Sequence, residues 1–127
     1  MKMIFFFSSL FLLTSCQPST AQTQVPVRQD VNVAEFKQLM KQSGTVLIDV
    51  RTPQEIAQGK IEGALEINFL DDNFQEKIQE LDKSTPYLIY CRSGNRSSKA
   101  TAIMEAQGFE KLYNLQGGYQ AWSQAKN

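Results

Sequence analysis

"PYLIYCRSGNRSS", residues 86 to 98, changes character at a single position. From Tyr87 through Tyr90 it is a run of apolar and aromatic β-formers, and after Cys91 it turns to arginine, serine, glycine and asparagine. A short continuous apolar run predicts a strand buried on both faces, the environment a parallel sheet provides. The run "TVLIDV", residues 45 to 50, repeats the pattern.

Amphipathic segments separate these runs. In "VNVAEFKQLMKQSG", residues 31 to 44, Asn32 and Glu35 have capping-box spacing, Val33, Phe36, Leu39 and Met40 share a face, and Gly44 is the stop. Pro53 starts a short helix through Gln58 that Gly59 ends. "ALEINF", residues 64 to 69, reads as a short strand, and Phe74, Ile78 and Leu81 mark another amphipathic helix. A helix from about Ser97 to Gln107, a strand in "KLYNL" and a short helix in "GGYQAWSQA" complete the order, with Trp122 packed inward. Helices alternating with short apolar strands predict an α/β fold, a mostly parallel central sheet flanked by helices on both faces.

The start of the chain reads differently. Lys2 precedes the apolar run Ile4 to Leu13, too short for a spanning helix of roughly 20 residues but suited to an export signal. Leu13-Thr14-Ser15-Cys16 resembles the lipobox of bacterial lipoproteins. That resemblance implies removal of residues 1–15, lipidation of Cys16, and a periplasmic domain anchored to the membrane through lipid alone. The outer membrane is expected if the host has two. Residues 16–30, polar with two prolines, read as a flexible tether, which leaves residues 31–127 as the folded domain.

Composition narrows the chemistry. Lys and Arg together number 13, as do Asp and Glu, and no basic patch suggests nucleic acid. The sequence has no histidine, so no mechanism here uses imidazole, and no Cys/His cluster points to a metal. Nothing calls for a cofactor, and a single small domain is expected to be a monomer. With Cys16 acylated, Cys91 is the one thiol left, and an intramolecular disulfide is ruled out.

Ligands of parallel α/β folds bind beyond the carboxyl ends of strands, where Cys91 falls. Backbone N–H groups of residues 92 to 97 can form a nest there, backed by the positive end of the next helix. With Arg92 and Arg96, this setting favours a thiolate and suits an anion. The alternative is a buried cysteine acting as a small hydrophobe.

These residues resemble those of the rhodanese homology domain, the sulfurtransferase fold. "CRSGNRS" is similar to the family's active-site loop. "LIDVRTPQEIAQGKIEGALEIN" is similar to its aspartate-valine-arginine strand end and glycine turn, and "GGYQAW" to its ending. The resemblance implies that Cys91 is the nucleophile and carries sulfur as a persulfide. Its donor would be a small sulfur-containing anion such as thiosulfate, its acceptor cyanide or a thiol. The loop Arg92, Ser93, Gly94, Asn95, Arg96 and Ser97 would bind substrate, with Arg92 pointing outward and Arg96 anchoring the loop. Asp49 and Arg51 would orient the loop and pair with Glu55, as supporting residues. The family's phosphatase relatives have a loop one residue longer, so the shorter loop fits a single sulfur better than a phosphate. Where the family often has histidine, Lys60 stands in the glycine turn. A non-catalytic binding module of the same fold is the competing expectation.

Overall fold

The computed structural model describes residues 25–125. The signal segment, Cys16 and most of the expected tether lie outside the described residues.

Ten elements follow one another: β1 (Arg28–Val31), α1 (Val33–Met40), β2 (Val46–Asp49), α2 (Pro53–Ala57), β3 (Leu65–Glu66), α3 (Phe74–Gln79), β4 (Tyr87–Tyr90), α4 (Asn95–Ala106), β5 (Leu112–Leu115) and α5 (Gly118–Gln124). All strand pairs are parallel, in the order β1-β5-β4-β2-β3. β4 is therefore the middle strand, and the chain leaves it at Cys91 between the ends of β5 and β2.

Strand alternation builds two cores. Tyr87, Ile89 and Cys91 face one layer, packing with Phe74, Ile78, Ala100, Met104 and Phe109 of the α3 and α4 side. Leu88 and Tyr90 face the other, with Val31, Phe36, Ile61 and Leu115. Burial on both faces explains why the β4 run carries no polar alternation.

Local chemistry sets the helix starts. The expected capping box is present: Asn32 Oδ1 accepts the Glu35 N–H at 2.9 Å, and the Asn32 N–H donates to Glu35 Oε2 at 3.1 Å. A second box, Thr52 with Glu55, opens α2 just ahead of Pro53.

Three expectations need correction. Residues 28–30, read as tether, belong to a strand: Arg28, Gln29, Asp30 and Val31 pair in register with Leu112 to Leu115. The helix after the cysteine begins at Asn95 instead of Ser97, because Gly94 takes φ +97° and turns the chain into the helix immediately. Trp122 is only half-buried. Its ring meets Phe36 edge-on at 6.3 Å and lies under Lys37 Nζ at 5.3 Å, on the layer opposite the Cys91 side chain.

Ile89 is fully buried at the centre of the middle strand. Ile89→Ala should cost about 2–5 kcal/mol in urea unfolding. A loss below about 1 kcal/mol would contradict this placement of the core.

Candidate active site

Cys91 is 1% exposed, so its sulfur lies at the floor of the loop. Around it the backbone turns its N–H groups inward. The Gly94 N–H donates to Sγ at 3.1 Å and the Ser97 hydroxyl, from the first turn of α4, at 3.3 Å. Burial by itself would push the thiol pKa up. Hydrogen bonds from Ser97, Ser93 and Gly94 outweigh it and bring the pKa below the ordinary cysteine value. The thiolate is thus favoured mainly by neutral donors, whereas the sequence pointed to arginine charge as well.

The inward N–H groups have an outward counterpart. The Tyr119 N–H donates to the Cys91 carbonyl at 2.8 Å and the Gln120 N–H to the Arg92 carbonyl at 3.0 Å. These are donors of the first turn of α5, which have no acceptor in their own helix. Their approach requires Gly118: a Cβ there would fall 2.5 Å from the Cys91 carbonyl oxygen and 2.6 Å from Arg92 backbone atoms.

Each residue read as functional from the sequence has a definite place. Arg96 anchors the loop through a two-pronged pair with Glu55, Nη1 to Oε2 at 2.8 Å and Nη2 to Oε1 at 2.6 Å. Arg92 is exposed and lines a polar cleft of about 200 Å3 with Glu55, Gln58 and Gln120. Ser93 and Asn95 are exposed at the rim, while Ser97 is buried against the sulfur.

Asp49 and Arg51 do not pair with Glu55. They pair with each other, buried at 0% and 3% exposure, with Arg51 Nη2 at 2.8 Å from Asp49 Oδ2 and at 2.9 Å from the Gly59 carbonyl. The Arg51 guanidinium also lies 4.3 Å from the centre of the Tyr119 ring. Its link to the loop runs through Tyr119, the residue whose N–H holds the Cys91 carbonyl. Tyr90 fills the core as expected and also accepts the Ile61 N–H on its hydroxyl at 3.1 Å. Lys60 pairs with Glu66 at 3.2 Å on the surface, clear of the loop.

Tyr119 and the capping role of Thr52 escaped sequence reasoning. The signal for the first was the glycine pair Gly117-Gly118, which marks a close backbone approach. Thr52-x-x-Glu55 was a readable capping box. Among the described residues no cluster of three His, Cys, Asp or Glu side chains is placed to hold a metal ion.

A cysteine at the end of the middle strand of a parallel sheet, cradled by a six-residue loop that runs into a helix, defines a rhodanese-type domain. The chain belongs to the rhodanese-like domain family, whose model matches residues 32–125. It is similar to a sulfurtransferase of Allochromatium vinosum, 42% identical over 78 residues that cover 61% of this chain and 71% of that one. It is also similar to the thiosulfate sulfurtransferase GlpE of Ectopseudomonas mendocina, 31% identical over 71% of this chain and 87% of the relative. A rhodanese-like domain protein from Staphylococcus aureus superposes with a TM-score of 0.66 at 32% identity, covering 74% of this chain and 90% of that structure.

The Glu55–Arg96 clip has a pH signature. Hydrogen bonds from Arg96 lead those from Thr52 in bringing the Glu55 carboxyl from 4.5 to about 2, against a burial effect in the other direction. A depressed carboxylate pKa stabilises the fold above the unfolded value, and that stability is lost as pH falls toward the folded value. Glu55→Gln should therefore be less stable than wild type at neutral pH, with the gap closing between 4.5 and about 2. Urea unfolding at several pH values reads this, and a pH-independent gap would contradict it.

Proposed function

We propose that this protein is a sulfurtransferase that moves sulfane sulfur from a donor such as thiosulfate to a thiophilic acceptor, cyanide or a thiol, through a persulfide on Cys91. The observation that carries the reading is the sulfur's setting: a thiol tuned toward thiolate by N–H and O–H donors, with no side-chain base among its hydrogen-bond partners in the described residues. A nucleophile activated by its own lowered pKa needs no histidine.

The steps balance without a cofactor. Cys91 thiolate attacks the outer sulfur of thiosulfate, a new S–S bond forms, the donor's S–S bond breaks, and sulfite leaves with the electron pair. An acceptor nucleophile then attacks the terminal sulfur, and the Cys91 thiolate departs ready for another donor. The inward N–H groups of Ser93, Gly94 and Ser97 would hold the negative charge on the outer sulfur, as peptide nests hold anions. Arg92, exposed on the rim, would draw the anionic donor in.

Loop length supports sulfur over phosphate: the loop from Cys91 to Arg96 is one residue shorter than that of the family's phosphatase relatives. Lipidation of Cys16 and a place in the cell envelope complete the proposal, on the strength of Leu13-Thr14-Ser15-Cys16.

Intact-mass measurement of the purified protein tests the chemistry. Thiosulfate should add one sulfur atom, cyanide should remove it, and Cys91→Ser should never gain it. No gain from thiosulfate, polysulfide or mercaptopyruvate would overturn the enzyme reading in favour of a non-catalytic binding module.

A further inference from the structure

Asn114 lies on β5, beside the middle strand, and is 4% exposed. A buried primary amide needs partners for both ends, yet its Oδ1 makes no hydrogen bond. All its polar contacts come from Nδ2. One runs to Asp30 Oδ1 at 2.9 Å and one to the Gly94 carbonyl at 3.4 Å.

Both contacts matter for the thiol. Gly94 is the residue whose N–H reaches Cys91 Sγ, and it sits at φ +97° with no side chain to lock its peptides. A glycine in that position keeps its orientation only if its neighbours hold it. Its carbonyl accepts the Ser98 N–H as the first bond of α4, and the Asn114 amide closes on the same oxygen. Asp30, in register with Asn114 across the β1–β5 pair, accepts without donating. That fixes which end of the amide faces it and directs the other N–H toward Gly94. Arg28 ties β1 to the same helix, donating to the Ser98 carbonyl at 3.4 Å and pairing with Glu105 at 3.4 Å.

We infer that Asn114 is a positioning residue for the Cys91 loop, oriented by Asp30 of the edge strand, so that β1 takes part in setting the sulfur cradle. Removing the amide lets the Gly94 peptides drift and weakens the N–H donated to the sulfur. The thiolate then becomes less favoured. Charged groups around the thiol are Arg92 and Arg96 of its own loop, Glu55 paired with Arg96, and the Asp49–Arg51 pair at the end of β2. Substitutions at positions 30 and 114 leave all of these in place.

The test is the pH dependence of iodoacetamide alkylation at Cys91, resolved by peptide mass spectrometry on the full chain, with thermal unfolding in parallel. Asn114→Leu should raise the alkylation midpoint by roughly half a unit to one unit, the scale of one neutral hydrogen bond. Asp30→Leu, at an exposed site, should raise it in the same direction, and Asp30→Asn, which keeps an acceptor, should restore the wild-type profile. Loss of the Asp30 negative charge acting by itself would lower the midpoint, so the sign separates positioning from charge. An unchanged profile in Asn114→Leu, or an unchanged or lowered midpoint in Asp30→Leu, overturns the inference. The midpoint of the alkylation profile reads thiol ionisation, whatever the plateau rate, so the result stands whether or not the protein transfers sulfur.

Discussion

The Tyr119 and Gln120 N–H groups hold the carbonyls of Cys91 and Arg92, and the geometry of the site depends on those two bonds. A peptide has its N–H and C=O on opposite sides, so drawing these two carbonyls out of the loop turns the N–H groups of Arg92 and Ser93 inward, and Ser93 is one of the backbone donors to the thiol. The sheet order makes this possible. β5 lies beside β4, and the chain leaving β5 must start its helix against the loop leaving β4. Gly117 and Gly118, at φ +73° and +55°, let it turn that tightly, and Gly118 leaves room that a methyl group would fill. Without that contact the loop would still have its residues but not its direction.

Ion pairs secure this arrangement from outside and do not themselves face the sulfur. Glu55 clips Arg96 at one end of the loop, and the buried Asp49–Arg51 pair supports Tyr119 at the other. Breaking a buried pair by removing one partner typically costs about 3–5 kcal/mol, whereas exposed pairs such as Lys60–Glu66 and Lys77–Asp71 contribute about 0–1 kcal/mol. Substitutions at Asp49 or Arg51 therefore act through folding. The thiol keeps a dipolar surround that favours its anion without neutralising it. A carboxylate partner would raise its pKa.

Much of this was legible in the sequence where a local rule decided it. Unbroken apolar runs located β2 and β4, capping spacing located α1, and the abrupt change after Tyr90 located the loop. Position β1 was not legible because an edge strand reading Arg-Gln-Asp-Val is mostly exposed and has no apolar run. Its pairing comes from β5, where Asn114 meets Asp30 from 84 residues along the chain. Partner choice failed for the same reason. Asp49, Arg51 and Glu55 sit close in sequence, yet only Asp49 and Arg51 pair with each other, Arg51 stacking on Tyr119 as well, while Glu55 turns to Arg96, because side chains pair by distance in the fold. The glycine pair announced a close approach without saying what it approached.

Titration of Cys91 is the most direct test, followed by thiolate absorbance with Cys91→Ser as the blank. An inward-facing cradle predicts a midpoint below that of an ordinary cysteine, about 8.5, and a clear rise in Gly118→Ala, where the added methyl pushes the loop off α5. A wild-type midpoint at or above the ordinary value, or one that Gly118→Ala leaves unmoved, would contradict it.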